Sequence, residues 1–196
     1  TQVGGSAVIN GGNFTANSQL TYAICNYGET VIKNATVKGK HGAVASAKGD
    51  AYKTTINGGS FELMENPGVS DHCTYYVSAI YGGTFSLGNN TDSGAQVFYE
   101  STIAAGYKAL AAGGIYYVLP ETIANAAEAE GVTSVTESTA DVATALATNN
   151  GEATLFMWND VAYIAKYGEV IITSAADEAT TVRGVVEYAT GLTRAT

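Results

Sequence analysis

Positive charge is what this chain has least of. Lys and Arg number nine against 18 Asp and Glu, giving a formal charge of −9. Such an acidic chain leaves no electrostatic footprint for nucleic acid and is not drawn to an anionic membrane surface. Histidine is confined to His41 and His72, and neither has a Ser/Asp or Cys/Asn partner visible at catalytic spacing. Two cysteines, Cys25 and Cys73, are too few for a disulfide framework. No apolar run reaches the length of a membrane-spanning helix. An initiator Met and a recognisable signal peptide are also missing, so the chain reads as a processed product or a segment of something longer.

Glycine and tyrosine are plentiful instead, at 23 and 13 residues. The glycines sit in a repeat. Ile9-Asn10-Gly11-Gly12-Asn13-Phe14 returns as Ile56-Asn57-Gly58-Gly59-Ser60-Phe61 and as Ile80-Tyr81-Gly82-Gly83-Thr84-Phe85, with a degenerate copy at Ile32-Lys33-Asn34-Ala35-Thr36-Val37. The Ile positions step by 23, 24 and 24 residues, and Phe14, Val37, Phe61 and Phe85 step identically. A fixed period of this length marks a stacked repeat architecture. One strand–corner–strand unit cannot bury an Ile and a Phe alone, but stacked copies pile these columns into a continuous core. Neighbours of each Ile alternate small or polar, as a strand with Ile inward requires. Ala7, Thr30, Thr54 and Ser78, two before each Ile, are small enough to share the interior. Gly11, Asn34, Gly58 and Gly82, two after each Ile, are expected to form a structural corner with positive φ. A leucine-rich repeat has a similar period but needs a Leu-x-x-Leu-x-Leu strand and an Asn ladder, which this chain lacks.

These motifs, with Tyr22-Ala23-Ile24-Cys25-Asn26-Tyr27-Gly28 ahead of the second copy, resemble repeats of secreted right-handed parallel β-helix proteins of the pectin-lyase-like group, in its bacterial adhesin-like and phage-fibre branch. Ala104-Ala105-Gly106-Tyr107-Lys108-Ala109 followed by Tyr116-Tyr117-Val118 resembles the way such blocks end. The resemblance covers about residues 1–119. It implies a right-handed solenoid, an extracellular setting on a bacterial cell or virion surface, and a protein that is an enzyme, an adhesin or a fibre component. Lyases on this fold use clustered carboxylates for calcium and an Arg or Lys base. Here Arg183 and Arg194 lie outside the repeats, and Glu29, Asp50, Glu62, Glu65 and Asp71 are scattered over different columns.

The expected fold is thus mainly β: a right-handed parallel β-solenoid of about 24 residues per coil over residues 1–119, then a small α+β domain over 120–196. In the latter, residues 121–130 and 139–148 read as helices, and 153–158, 161–166 and 169–174 as strands with an apolar face of Phe156, Trp158, Tyr163 and Ile171. Asn159-Asp160 is a hairpin turn signal.

Candidate sites are few. Residues 62–73 form a loop signalled by Pro67-Gly68, and its Glu65, Asp71 and His72 are the candidate metal ligands, although their spacing fits no zinc pattern. Asn90-Thr91-Asp92-Ser93-Gly94 is similar to part of a calcium loop but lacks the closing Glu. Cys25 and Cys73 share a column two coils, roughly 9.6 Å, apart and should remain thiols. Glu29 and Lys53 are expected to pair across adjacent coils. Tyr75, Tyr76 and Tyr81 are candidate ligand-binding residues, set against the plain packing value of Tyr on strands. Ile9 and Phe14, on a first coil without a visible cap, are candidate assembly contacts. No catalytic residue and no cofactor is assigned. The expected function is a non-enzymatic extracellular structural or adhesive module, partnered by itself or a larger surface or virion assembly. A glycan-binding module is the alternative, and a polysaccharide-cleaving enzyme stands behind both.

Overall fold

A computed structural model gives the architecture and describes residues 4–64, 71–136, 153–158, 161–166 and 169–171. The chain divides into two compact units, residues 1–109 with 114–119, and residues 110–113 with 120–196.

The first unit is a parallel β-solenoid of about 24 residues per turn. Each turn contributes to three sheets. The first sheet contains β1 (Ser6–Ile9), β4 (Glu29–Ile32), β7 (Lys53–Ile56) and β10 (Ala79–Ile80) in that spatial order. In it Ile9, Ile32, Ile56 and Ile80 pair in register. An isolated parallel bridge from Ile80 to Ile103 adds a fifth rung. The second sheet runs from β2 (Asn13–Ala16) through β5 (Thr36–Gly39) and β8 (Ser60–Leu63) to β11 (Gly83–Ser86). Phe14, Val37, Phe61 and Phe85 are its register column. The Phe61 and Phe85 rings stack at 4.9 Å and 11°. Ile32, Ile56, Ile80, Val37 and Phe85 are fully buried, and Phe61 is 1 % exposed. Sealing an apolar side chain of this size stabilises by about 1.5–3 kcal/mol, so each added rung deepens the core.

At its far edge the second sheet changes direction. The strands β13 (Tyr107–Ala112) and β14 (Ile115–Pro120) are joined by Gly113-Gly114, both with positive φ, which is the geometry of a two-residue hairpin turn. β14 pairs antiparallel with β11, placing Tyr116 opposite Phe85. The third sheet has the order β12 (Gln96–Tyr99), β9 (His72–Tyr75), β6 (Val44–Ser46) and β3 (Ile24–Asn26).

Asn26 shows how a polar group that enters the interior is satisfied. Asn26, 1 % exposed, places Nδ2 2.9 Å from the Gly28 carbonyl, 3.0 Å from that of Lys53 and 2.8 Å from Thr54 Oγ1. Its Oδ1 accepts from the Gly28 N–H and the Thr30 hydroxyl, each at 2.9 Å. Of the column two before each Ile, Thr30 and Thr54 are buried, Ala7 is half-buried and Ser78 is exposed. Left without partners, buried polar groups would each cost about 1–3 kcal/mol.

Two expectations require correction. Positive φ does not fall at Gly11, Asn34, Gly58 or Gly82. It falls one residue later, at Gly12 (112°), Gly59 (116°) and Gly83 (110°). Gly58 and Gly82 are instead constrained by close approach, because a Cβ would lie 2.9 Å from the Lys33 carbonyl oxygen and 2.6 Å from that of Asn57. Nor do Cys25 and Cys73 share a column. Cys25 pairs with Ala45, and Ala45 with Tyr75. The connection into the third sheet is four residues long before Val44 and eight before His72, while the exit shortens from six residues after Ser46 to three after Tyr75. These lengths offset each other, so the Ile column keeps its period while the third sheet slips. Both cysteines are nonetheless thiols. Glu29 and Lys53 do face each other in register. Lys38 and Glu62 close an ion pair between adjacent turns, at 2.6 Å.

In the second unit, α1 (Glu121–Ala129) buries Ile123, Ala124 and Ala127. A fourth sheet runs β15 (Val135–Thr136), β16 (Thr154–Trp158), β17 (Val161–Lys166) and β18 (Glu169–Ile171). Phe156 is buried. The expected 139–148 helix, the Pro67-Gly68 turn, the Asn159-Asp160 turn, residues 172–174 and the side chains of Trp158, Tyr163 and Ile171 lie outside the described residues.

The corner geometry sets a graded test. Gly59→Ala combines positive φ with a Cβ 2.5 Å from the Ala35 carbonyl oxygen, whereas a Cβ on Gly11 would make an ordinary 3.5 Å contact. Denaturant unfolding should show a loss of ~1–3 kcal/mol for Gly59→Ala and under ~1 kcal/mol for Gly11→Ala.

Candidate functional site

Outward side chains of the third sheet form the densest aromatic group of the first unit. Because Tyr75 pairs with Tyr99, their rings stack at 5.1 Å and 4°. His72 stacks on Tyr99 at 4.1 Å and 10°. Tyr76 stands edge-on to Tyr75, with ring centroids 4.5 Å apart at 87°. Tyr22 comes from the turn two before that of Tyr75, and its ring lies 5.9 Å from Tyr75 and 4.8 Å from His41. The Lys48 ammonium sits 5.3 Å from the Tyr76 ring centre. Register explains the ladder: parallel in-register strands bring like residues to one strand spacing, where flat rings gain from offset stacking.

Tyr76 has a φ of 52°, and Glu100, one turn on, 48°. A non-glycine residue in the left-handed region costs about 1 kcal/mol or more. That conformation turns the Tyr76 ring across the edge of Tyr75.

Beneath the rings lies a buried acid. Asp71 is 2 % exposed, and its Oδ1 is 2.8 Å from His41 Nδ1. The contact is short but off the hydrogen-bond direction. Burial lowers the pKa of His72 below the usual imidazole range, against the opposing pull of Asp71. Burial also raises the Tyr22 phenol, with Asp71 adding to the rise. Cys73 is sealed in the core, where burial pushes its thiol up to about 12, so it is not a reactive thiolate.

The sequence-predicted residues distribute as follows. Tyr75 and Tyr76 meet, whereas Tyr81 lies against Tyr107 at the corner of the first and second sheets. Asp71 and His72 are adjacent and joined by His41, but Glu65 lies outside the described residues. Among the described residues no three His, Cys, Asp or Glu side chains converge on a metal-sized site. In the Asn90–Gly94 loop, Asn90 Oδ1 accepts from the Asp92 N–H and Asp92 Oδ1 from the Gly94 N–H, so these side chains brace the turn. Ile9 and Phe14 are half-buried on the first described turn, where Val8 is 57 % exposed. Tyr22, His41 and Tyr99 were not singled out in the sequence. Tyr99 lies 24 residues after Tyr75, so the period itself pointed to it.

Compared with known proteins, the chain matches no family model, no curated protein and no solved structure. The parallel β-solenoid therefore rests on register and packing.

His72 gives a pH test. Its folded pKa is below its unfolded value, so its neutral form contributes fully above the ordinary imidazole value of about 6.5. That contribution is lost as pH falls from there through the folded pKa. Urea midpoints should drop between pH 7.5 and pH 5, and His72→Phe should show a smaller drop. An equal drop in both proteins would remove His72 from the account.

Proposed function

We propose that this chain is a non-enzymatic extracellular module, a structural or adhesive building block of a bacterial cell-surface or virion fibre assembly. The observation that carries the reading is the contrast along its two apolar columns. From the second turn onward Ile32, Ile56, Val37 and Phe61 are sealed, while Ile9 and Phe14 on the first described turn are half-covered. β1 and β2 are also the outermost described strands of their sheets, with unpaired backbone groups along one side. Strand edges of this kind pair with further strands. A further solenoid turn, whether from the same polypeptide, a second copy or a larger assembly, would complete both columns. Solenoids of this class serve as rods and adhesins as readily as enzymes, so the site and not the fold decides.

The aromatic group on the third sheet favours one second reading, a glycan-binding module. Tyr offers a flat amphipathic surface at little entropic cost, and the strained Tyr76 is the kind of backbone outlier that clusters at functional sites.

Sedimentation equilibrium tests the first reading. The protein should self-associate, and Phe14→Asp should weaken association at least tenfold while leaving the thermal midpoint within a few degrees. A wild-type protein that stays monomeric at the highest soluble concentration would contradict it.

A further inference from the structure

We propose that the third sheet carries a binding notch for a neutral pyranose ring, floored by Ala45 and walled by the face of Tyr75 that looks away from Tyr99. The inference rests on the glycan-binding reading and assigns it a place.

The notch follows from one register file. Cys25, Ala45, Tyr75 and Tyr99 occupy successive rungs and point to the same side of the sheet. Tyr99 covers one face of Tyr75. The rung on the other side holds only the methyl group of Ala45, which is half-exposed between the buried Val44 and Ser46. Two strand spacings separate the Cys25 and Tyr75 rungs by roughly 9.6 Å. Within the file only a methyl lies between them, and the Tyr22 ring, 5.9 Å from Tyr75, bounds the space on one side.

Both ends of the notch carry polar groups. Tyr22 stands at one end, tilted 43° to Tyr75. It can lie there because Gly42 has no Cβ, which would otherwise collide with the Tyr22 ring. Lys48, on the same turn as Ala45, stands at the other end over Tyr76. A pyranose has a C–H face that packs on an aromatic ring and a rim of hydroxyls that donate and accept. Tyr75 meets the first need. The Lys48 ammonium and the Tyr22 and Tyr76 phenols meet the second.

Charge favours a neutral sugar. Tyr76, and after it Glu100, hold the Lys48 ammonium in its charged form, so the single cation at the notch already has a carboxylate near it. Asp71, buried behind the ring group, adds a further negative charge. A uronic acid would meet the field of Glu100 near Lys48 and that of Asp71 behind the rings.

The experiment uses the full chain and isothermal titration with cellohexaose, laminarihexaose, mannohexaose and a galacturonate hexamer. At least one neutral hexasaccharide should bind. Ala45→Leu, which fills the notch, and Tyr75→Ala, which removes its wall, should each weaken that binding at least tenfold. Tyr116→Ala, on the second sheet, should leave it unchanged. Since Ala45 points outward, Ala45→Leu should keep the wild-type thermal midpoint, which separates lost binding from lost folding. Neutral-sugar binding that survives Ala45→Leu would overturn the notch and leave the glycan-binding reading standing. Tightest binding to the galacturonate would overturn the neutral-ligand assignment. No binding to any of the four would overturn the reading and the notch together.

Discussion

In-register stacking of identical apolar residues on parallel strands is the constraint from which this molecule follows. Ile9, Ile32, Ile56, Ile80 and Ile103 form one continuous column, and Phe14, Val37, Phe61 and Phe85 form another. Neither column exists within a single turn. Each rung is sealed by the rungs on either side, so stability accrues by nearest-neighbour contacts, as expected of a quasi-one-dimensional protein. A one-residue slip would turn the Ile and Phe columns outward together.

The same constraint governs the polar interior and the surface. Thr30 and Thr54 fit beside the Ile column only because their hydroxyls bond within the stack, and Asn26 ties two successive turns through the Lys53 carbonyl and Thr54. Satisfied in this way, buried polar groups favour one register over its neighbours. On the outer face, register also produces the ladder of Tyr75 and Tyr99. Ring stacking and candidate ligand contact thus compete for the same tyrosine faces.

How much of this the sequence carried depends on which periodicity each feature obeys. The Ile and Phe columns obey the 24-residue period and were readable in full over four turns. Ile103 escaped because its surroundings have lost the Gly-Gly corner, although its 23-residue step from Ile80 was there to see. The third sheet does not obey the period. Its entry and exit connections trade residues, so pairing Cys25 with Cys73 by column was wrong by physical necessity: total turn length says nothing about how length is shared between corners. The positive-φ residue was misplaced by one because Gly-Gly pairs offer two glycines for two different jobs, left-handed backbone at Gly59 and close approach at Gly58. Gly113-Gly114 between two apolar runs was a legible hairpin signal and explains how parallel stacking ends in an antiparallel strand. Of the aromatic site, Tyr75 and Tyr76 were visible as a cluster of exposed-type residues. Tyr22 and His41 reach it only through the shortened corner before Val44, which no pattern in the sequence announces.

The central claim is the order of the Ile rungs, and methyl NOE spectroscopy on Ile δ1-labelled protein reads that order directly. The account predicts contacts linking Ile9 to Ile32, Ile32 to Ile56, Ile56 to Ile80 and Ile80 to Ile103, with none that skips a rung. Ile contacts in any other order, or none between residues about 24 apart in sequence, would contradict the stacked-column account.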